Sequence, residues 1–103
     1  MIQAISDAQF NELTASGVTL TDFWAPWCGP CRMQSPVIDE LSEEMEGQVG
    51  FYKVNVDEEQ ETAREFGIMS IPTLLIKKDG EVMEKLVGFH DKNRLKDILS
   101  EYI

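Results

Sequence analysis

The chain has only two cysteines, Cys28 and Cys31, and they share the run Asp22-Phe23-Trp24-Ala25-Pro26-Trp27-Cys28-Gly29-Pro30-Cys31-Arg32-Met33 with both tryptophans. Two thiols with two residues between them can close a disulfide and reopen it. In that chemistry a thiolate attacks a disulfide sulfur, and a second thiol then releases the mixed disulfide. The attacker must be ionised, so its surroundings matter as much as its presence. Pro30 fits the first turn of a helix, where its missing N–H has no intrahelical partner to lose. Val18 to Trp24 is rich in β-branched and aromatic residues and reads as a central strand. Pro26 cannot supply a ladder N–H, so that strand ends by Ala25. Strand, tight turn and helix start thus put Cys28 at the positive end of a helix dipole, where a thiolate is favoured and the thiol pKa falls. Cys31 lies one turn deeper, so Cys28 reads as an exposed nucleophile and Cys31 as a more shielded resolving thiol.

Two blander readings compete. A zinc half-site needs two more ligands, and the chain offers one histidine, His90, plus carboxylates. A structural disulfide closing so short a loop restrains the unfolded chain only weakly. The strand–turn–helix context favours redox catalysis over both. Asp22, six residues before Cys28, adds a titratable group. It could be a strand-end aspartate turned to water, but alternation sets it on the same face as Leu20 and Trp24, pointing inward. Burial without a close cation raises a carboxyl pKa and makes a proton acceptor near neutrality.

The elements that must position these groups follow from pattern. Gln3-Ala4-Ile5 reads as a short strand. Ser6 then caps a helix with Gln9 in a capping box and Ile5 against Phe10 as a hydrophobic staple; Gly17 ends it. A second helix spans about Cys28 to Glu46 with Gly47 as its stop, a kink at Pro36, and a buried stripe of Met33, Val37, Leu41 and Met45. Its acidic face (Asp39, Glu40, Glu43, Glu44, Glu46) reads as solvated surface. Phe51 to Val56 is a strand, and Asp57 is the expected cap of a third helix that buries Ala63 and Phe66 and stops at Gly67. Thr73–Lys78 and Glu81–Val87 flank Asp79-Gly80 as a β-hairpin. Leu95, Ile98, Leu99 and Tyr102 mark a last helix capped by Asp91. The order is β-α-β-α-β-α-β-β-α, an α/β arrangement whose strand order the pattern leaves open.

Nineteen acidic against nine basic residues give a net charge of −10, which argues against nucleic acid and anionic membrane surfaces as partners. The 103 residues suit one domain, 1–103, with a core that needs no disulfide staple. No apolar run approaches the ~20 residues of a membrane span. The first seven residues lack a basic region followed by an apolar one, so no signal peptide is read and Met1 reads as a native start. Two cysteines spaced for catalysis fit a reducing compartment, and the expected location is the cytoplasm.

Trp27-Cys28-Gly29-Pro30-Cys31 after a strand, with Ile71-Pro72-Thr73 about forty residues on, resembles the thioredoxin family over essentially the whole chain. The resemblance implies the thioredoxin fold, a central mixed five-stranded sheet with two helices on each face. It implies that Asp22 lies beneath Cys31 and shuttles its proton, and that Lys53 pairs with Asp22. By itself a strand lysine is an edge residue or a snorkelling stem. It implies a cis Ile71–Pro72 peptide packed against the disulfide, although X–Pro bonds are mostly trans. The Ile71 backbone would then pair with an extended client segment, in an apolar groove rimmed by Trp27, Gly29, Pro30, Ser70, Ile71, Pro72, Val87, Gly88 and Phe89. Trp24 is expected as core packing beside the active site, Met33 as gap-filling core, and His90 as a solvated residue at a helix start. Thr21 departs from the family, where an apolar residue is common, and bears on how dry Asp22 is; Pro26 fills a variable slot.

In function the resemblance implies a monomeric protein-disulfide reductase, an electron carrier with no bound cofactor. Its reducing equivalents would come from NADPH through a flavoprotein thioredoxin reductase and pass to disulfide-containing client proteins. The chain has no G-x-G-x-x-G and no Walker-type loop, so any nucleotide belongs to the partner. An oxidase or isomerase of exported proteins is a second reading, opposed by the missing export signal and by Gly29-Pro30. A non-catalytic binding module within a larger assembly is a third, which a Cys28→Ala substitution would leave functional.

Overall fold

The computed structural model describes residues 2–103; the reading of Met1 as a native start lies outside them. The elements are β1 (Gln3–Ala4), α1 (Asp7–Leu13), β2 (Val18–Trp24), α2 (Gly29–Glu44), β3 (Val49–Asn55), α3 (Gln60–Glu65), β4 (Thr73–Lys78), β5 (Glu81–Val87) and α4 (Lys92–Ser100). One mixed sheet holds the five strands in the order β1-β3-β2-β4-β5. β3 runs parallel to both β1 and β2, and β4 is antiparallel to β2 and to β5. The parallel pairs form where a helix carries the chain back across the sheet. The antiparallel hairpin forms where Asp79 and Gly80, at φ 51° and 87°, take the left-handed backbone that a two-residue turn requires.

Alternation along β2 sorts its side chains between two cores. Leu20 joins Phe51, Leu74 and Ile76 beneath α2 and α4, meeting Ile38, Leu41, Leu95 and Leu99. Phe23 joins Val54 and Leu75 on the other face, meeting Phe10 of α1 and Ala63 of α3. The arrangement is the thioredoxin-type sheet with two helices on each side.

Two details of helix register differ from the expectation. The buried positions of α2 are Cys31, Gln34, Ile38, Leu41 and Ser42, and Met33 is 62% exposed and so no part of the core. A stripe recurring every four residues drifts by about 40° per step around a helix of 3.6 residues per turn, so Met33 has rotated away from the sheet. The face that stays inward alternates steps of three and four, and it runs through a glutamine. α2 ends at Glu44 with Met45 as its C-cap, and Pro36 lies inside it without ending it.

α3 is not capped by Asp57. It starts at Gln60, with Glu59 in the cap position and making no side-chain cap. The Asp7 carboxylate instead accepts the Glu61 N–H at 3.2 Å, the Thr62 N–H at 2.8 Å and the Thr62 hydroxyl, while the Asp7 N–H donates to Glu59 Oε1 at 2.8 Å. The starts of α1 and α3 therefore cap each other. Burial acts to raise the Asp7 pKa, but the Thr62 and Glu61 donors and Arg64 outweigh it and hold the carboxyl below its ordinary value.

Candidate active site

Cys28 is the N-cap residue of α2, with extended backbone that lets its sulfur fold back over the first turn. The Cys31 N–H donates to Cys28 Sγ at 3.2 Å. This is one of the orphan donors of a helix start, and it stabilises negative charge on that sulfur when the pair is reduced. The two cysteines are joined as a disulfide with Cα atoms 5.3 Å apart.

The expected contrast between an exposed Cys28 and a shielded Cys31 is absent: they are 4% and 3% exposed. The asymmetry lies in what each sulfur faces. Cys28 Sγ is 3.7 Å from the Ile71 carbonyl oxygen, across the rim. Cys31 instead lines a partly open pocket of 210 Å³ with Asp22, Trp24, Ala25, Pro26, Arg32, Ser35 and Lys53.

Asp22 is 2% exposed, and its Oδ1 has no hydrogen-bond partner. Burial pushes its pKa up, Lys53 opposes the rise, and the result is about 7. Lys53 stands beside Asp22 in the β2–β3 register. Its ammonium lies 5.5 Å from the centre of the Trp24 ring, and no Asp22–Lys53 ion pair forms among the described residues. Trp24 lies beside the active site as expected, half-buried with its indole N–H unpartnered, and forms a wall of the pocket that Cys31 lines. Thr21 projects to the opposite face of β2 by alternation, so its hydroxyl does not wet Asp22.

The Ile71–Pro72 peptide is cis. The Gly88 N–H donates to the Pro72 carbonyl at 2.8 Å, and Val87 pairs with Thr73, so residues 87–89 lie beside the proline loop. Trp27, Val87 and Phe89 are all exposed, and the Trp27 indole is held by Asp57 Oδ2 at 3.0 Å. Gly29, Pro30 and Ser70 are exposed as well, Ile71 is half-buried and Pro72 is buried. A Cβ on Gly29 or Gly88 would meet nothing within 4 Å, so open space lies against both backbones.

A shallow depression of 410 Å³ is lined by Trp27, Ser70 and Ile71 together with Val56, Ile68 and Met69. Sequence reasoning missed the last three; the apolar Ile68-Met69 pair just before Ser70 was the available signal. His90 is half-buried and not simply solvated: its main chain is bound by Gln34 and its ring Nδ1 lies 2.9 Å from the Gly88 carbonyl.

A family model described as Thioredoxin matches residues 1–101. The chain is 50% identical to a thioredoxin of Listeria monocytogenes over the full length of both. It is 51% identical to a thioredoxin of Bacillus subtilis, over 95% of this chain and 94% of that one. A Staphylococcus aureus thioredoxin matches at 45% over 99% and 98%. The chain belongs to the thioredoxin family.

The chemistry is thiol–disulfide exchange, carried by Cys28 and Cys31, and the chain is a protein-disulfide oxidoreductase. Among the described residues no group of three or more His, Cys, Asp and Glu is placed to hold a metal ion. No helix among them is long and apolar enough to cross a membrane.

Proposed function

We propose that the chain works as a reductant of protein disulfides in the cytoplasm, with Cys28 as nucleophile, Cys31 as resolving thiol and Asp22 as the base that serves Cys31. The observation that carries this reading is the Cys31 N–H on Cys28 Sγ at the N-cap of α2, which favours the thiolate at Cys28. The Cys28 thiolate attacks one sulfur of a client disulfide. A Cys28–client disulfide forms, and the other client sulfur leaves as a thiolate. The Cys31 proton passes to the Asp22 carboxylate, the Cys31 thiolate attacks Cys28 Sγ, and the client's remaining sulfur leaves. The client gains two electrons and the Cys28–Cys31 pair loses them. The second step is intramolecular and gains from high effective concentration.

Asp22 suits its role because its pKa of about 7 lets it both take and give up a proton near neutrality. Lys53, the neighbour of Asp22 on β3, moderates that value as a nearby charge without a direct pair; the strand register and the opposing effect of its charge on Asp22 support this reading. Clients bind as extended segments along Ile71 and Pro72, with Trp27, Gly29, Pro30, Ser70, Val87, Gly88 and Phe89 around them. A flavoprotein thioredoxin reductase drawing on NADPH restores the dithiol, and the chain works as a monomer.

Equilibration with glutathione tests the direction. A reductant's disulfide resists reduction and is half-reduced only when reduced glutathione greatly exceeds its disulfide. A pair that remains dithiol in a buffer dominated by glutathione disulfide would make the chain an oxidant instead.

A further inference from the structure

Gln34 is a polar residue on the buried face of the helix that carries both cysteines, and it is wholly inaccessible to solvent. Its amide is nevertheless satisfied on both sides by one residue. Gln34 Nε2 donates to the His90 carbonyl at 2.9 Å, and the His90 N–H donates to Gln34 Oε1 at 2.8 Å. Two antiparallel bonds of this kind lock the plane of the amide against the His90 backbone, much as a strand partner would. From His90 the connection continues, with ring Nδ1 2.9 Å from the Gly88 carbonyl and the Gly88 N–H donating to the Pro72 carbonyl at 2.8 Å. The segment so tied is Val87-Gly88-Phe89, whose outer side chains are 60% and 42% exposed at Val87 and Phe89. Gly88 takes φ 91°, so this backbone has little local stiffness of its own.

We infer that Gln34 is a positioning residue for client binding, a clamp that fixes the height of the Val87–Phe89 rim relative to Cys28 and Cys31. The amide reaches neither sulfur and is not a catalytic group. Its effect is on the rim. When the clamp is intact the segment is held ready for an extended client; without it the segment must be ordered at the client's expense. The inference rests on the reading that residues 87–89 rim the client groove.

The test is steady-state reduction of a disulfide-bonded protein client by Gln34→Met, which keeps length and apolar volume but makes neither hydrogen bond. Losing ordered contacts of this size corresponds to about a five-fold rise in KM, with kcat held within about two-fold. Faster amide exchange at His90 and Gly88 should accompany the rise. Gln34→Leu, which also makes neither hydrogen bond and adds no buried charge, should raise KM in the same way and serves as the test if the methionine variant does not fold. An unchanged KM, or kcat falling in step with stability while KM stays constant, would overturn the clamp. Phe89→Ser is measured in parallel. If it raises KM and Gln34→Met does not, the clamp alone is wrong; if Phe89→Ser has no effect, the rim reading fails and the clamp's function falls with it.

Discussion

Asp22 should make the protein less stable at neutral pH than it would be without that carboxylate. Its pKa lies near 3.8 when solvated and about 7 in the fold, chiefly through burial. A raised folded pKa means that the native state holds the proton more tightly than the unfolded chain does. Its contribution is therefore fully favourable below pH 4 and is lost as pH rises from about 4 through 7. A span of about three units at ~1.4 kcal/mol per unit amounts to about 4 kcal/mol. Asp22→Ala removes that dependence and opens a small void worth ~1 kcal/mol. With the disulfide intact, the variant should be roughly 2–3 kcal/mol more stable than the parent at pH 8, and equal or slightly less stable at pH 4. Guanidinium titrations of both proteins at the two pH values read this directly. A stability difference that stays flat between pH 4 and pH 8, or a variant less stable at pH 8, would refute the argument.

Two further outcomes follow from contacts between distant segments. Asp7→Ala should cost about 1–2 kcal/mol of stability by leaving the start of α3 uncapped. Because the Asp7 pKa is lowered, its contribution is present above the ordinary carboxylate range and is lost as acid protonates it. The variant and parent should therefore converge in stability at low pH, which denaturant midpoints at pH 7 and pH 2 would show. Asp57→Ala should release the Trp27 indole, shifting its N–H resonance and changing its fluorescence. Stability should change by less than about 0.5 kcal/mol because the site is exposed; an unmoved indole resonance would deny the contact any role in holding the ring.

The fold was largely legible because its signals are local. Asp79-Gly80 between two β-rich runs, Pro30 just inside a helix, and the alternation that turned Asp22 inward each act within a few residues. What stayed hidden depends on partners far along the chain. Asp57 looked like a helix cap by sequence distance alone, but Asp7 does that work from over fifty residues away. Gln34 breaks the apolar stripe and Met33 takes its place in the sequence pattern, because nothing local announces that the His90 backbone satisfies a buried amide. The cysteine pair was legible as chemistry, but the burial of both sulfurs was not. Part of that burial comes from the Ile71–Pro72 loop lying against Cys28, a contact between residues 43 apart in sequence that meet because β2 and β4 are neighbours in the sheet.

The most direct measurement of the central claim is to trap the covalent intermediate. Reduced Cys31→Ser protein is mixed with a disulfide-bonded client, and the adduct is mapped by mass spectrometry. With no resolving thiol, the mixed disulfide should accumulate through Cys28, and a Cys28→Ser protein should form little or none. An adduct that forms through Cys31 in the Cys28→Ser protein and is missing from the Cys31→Ser protein would contradict the assignment.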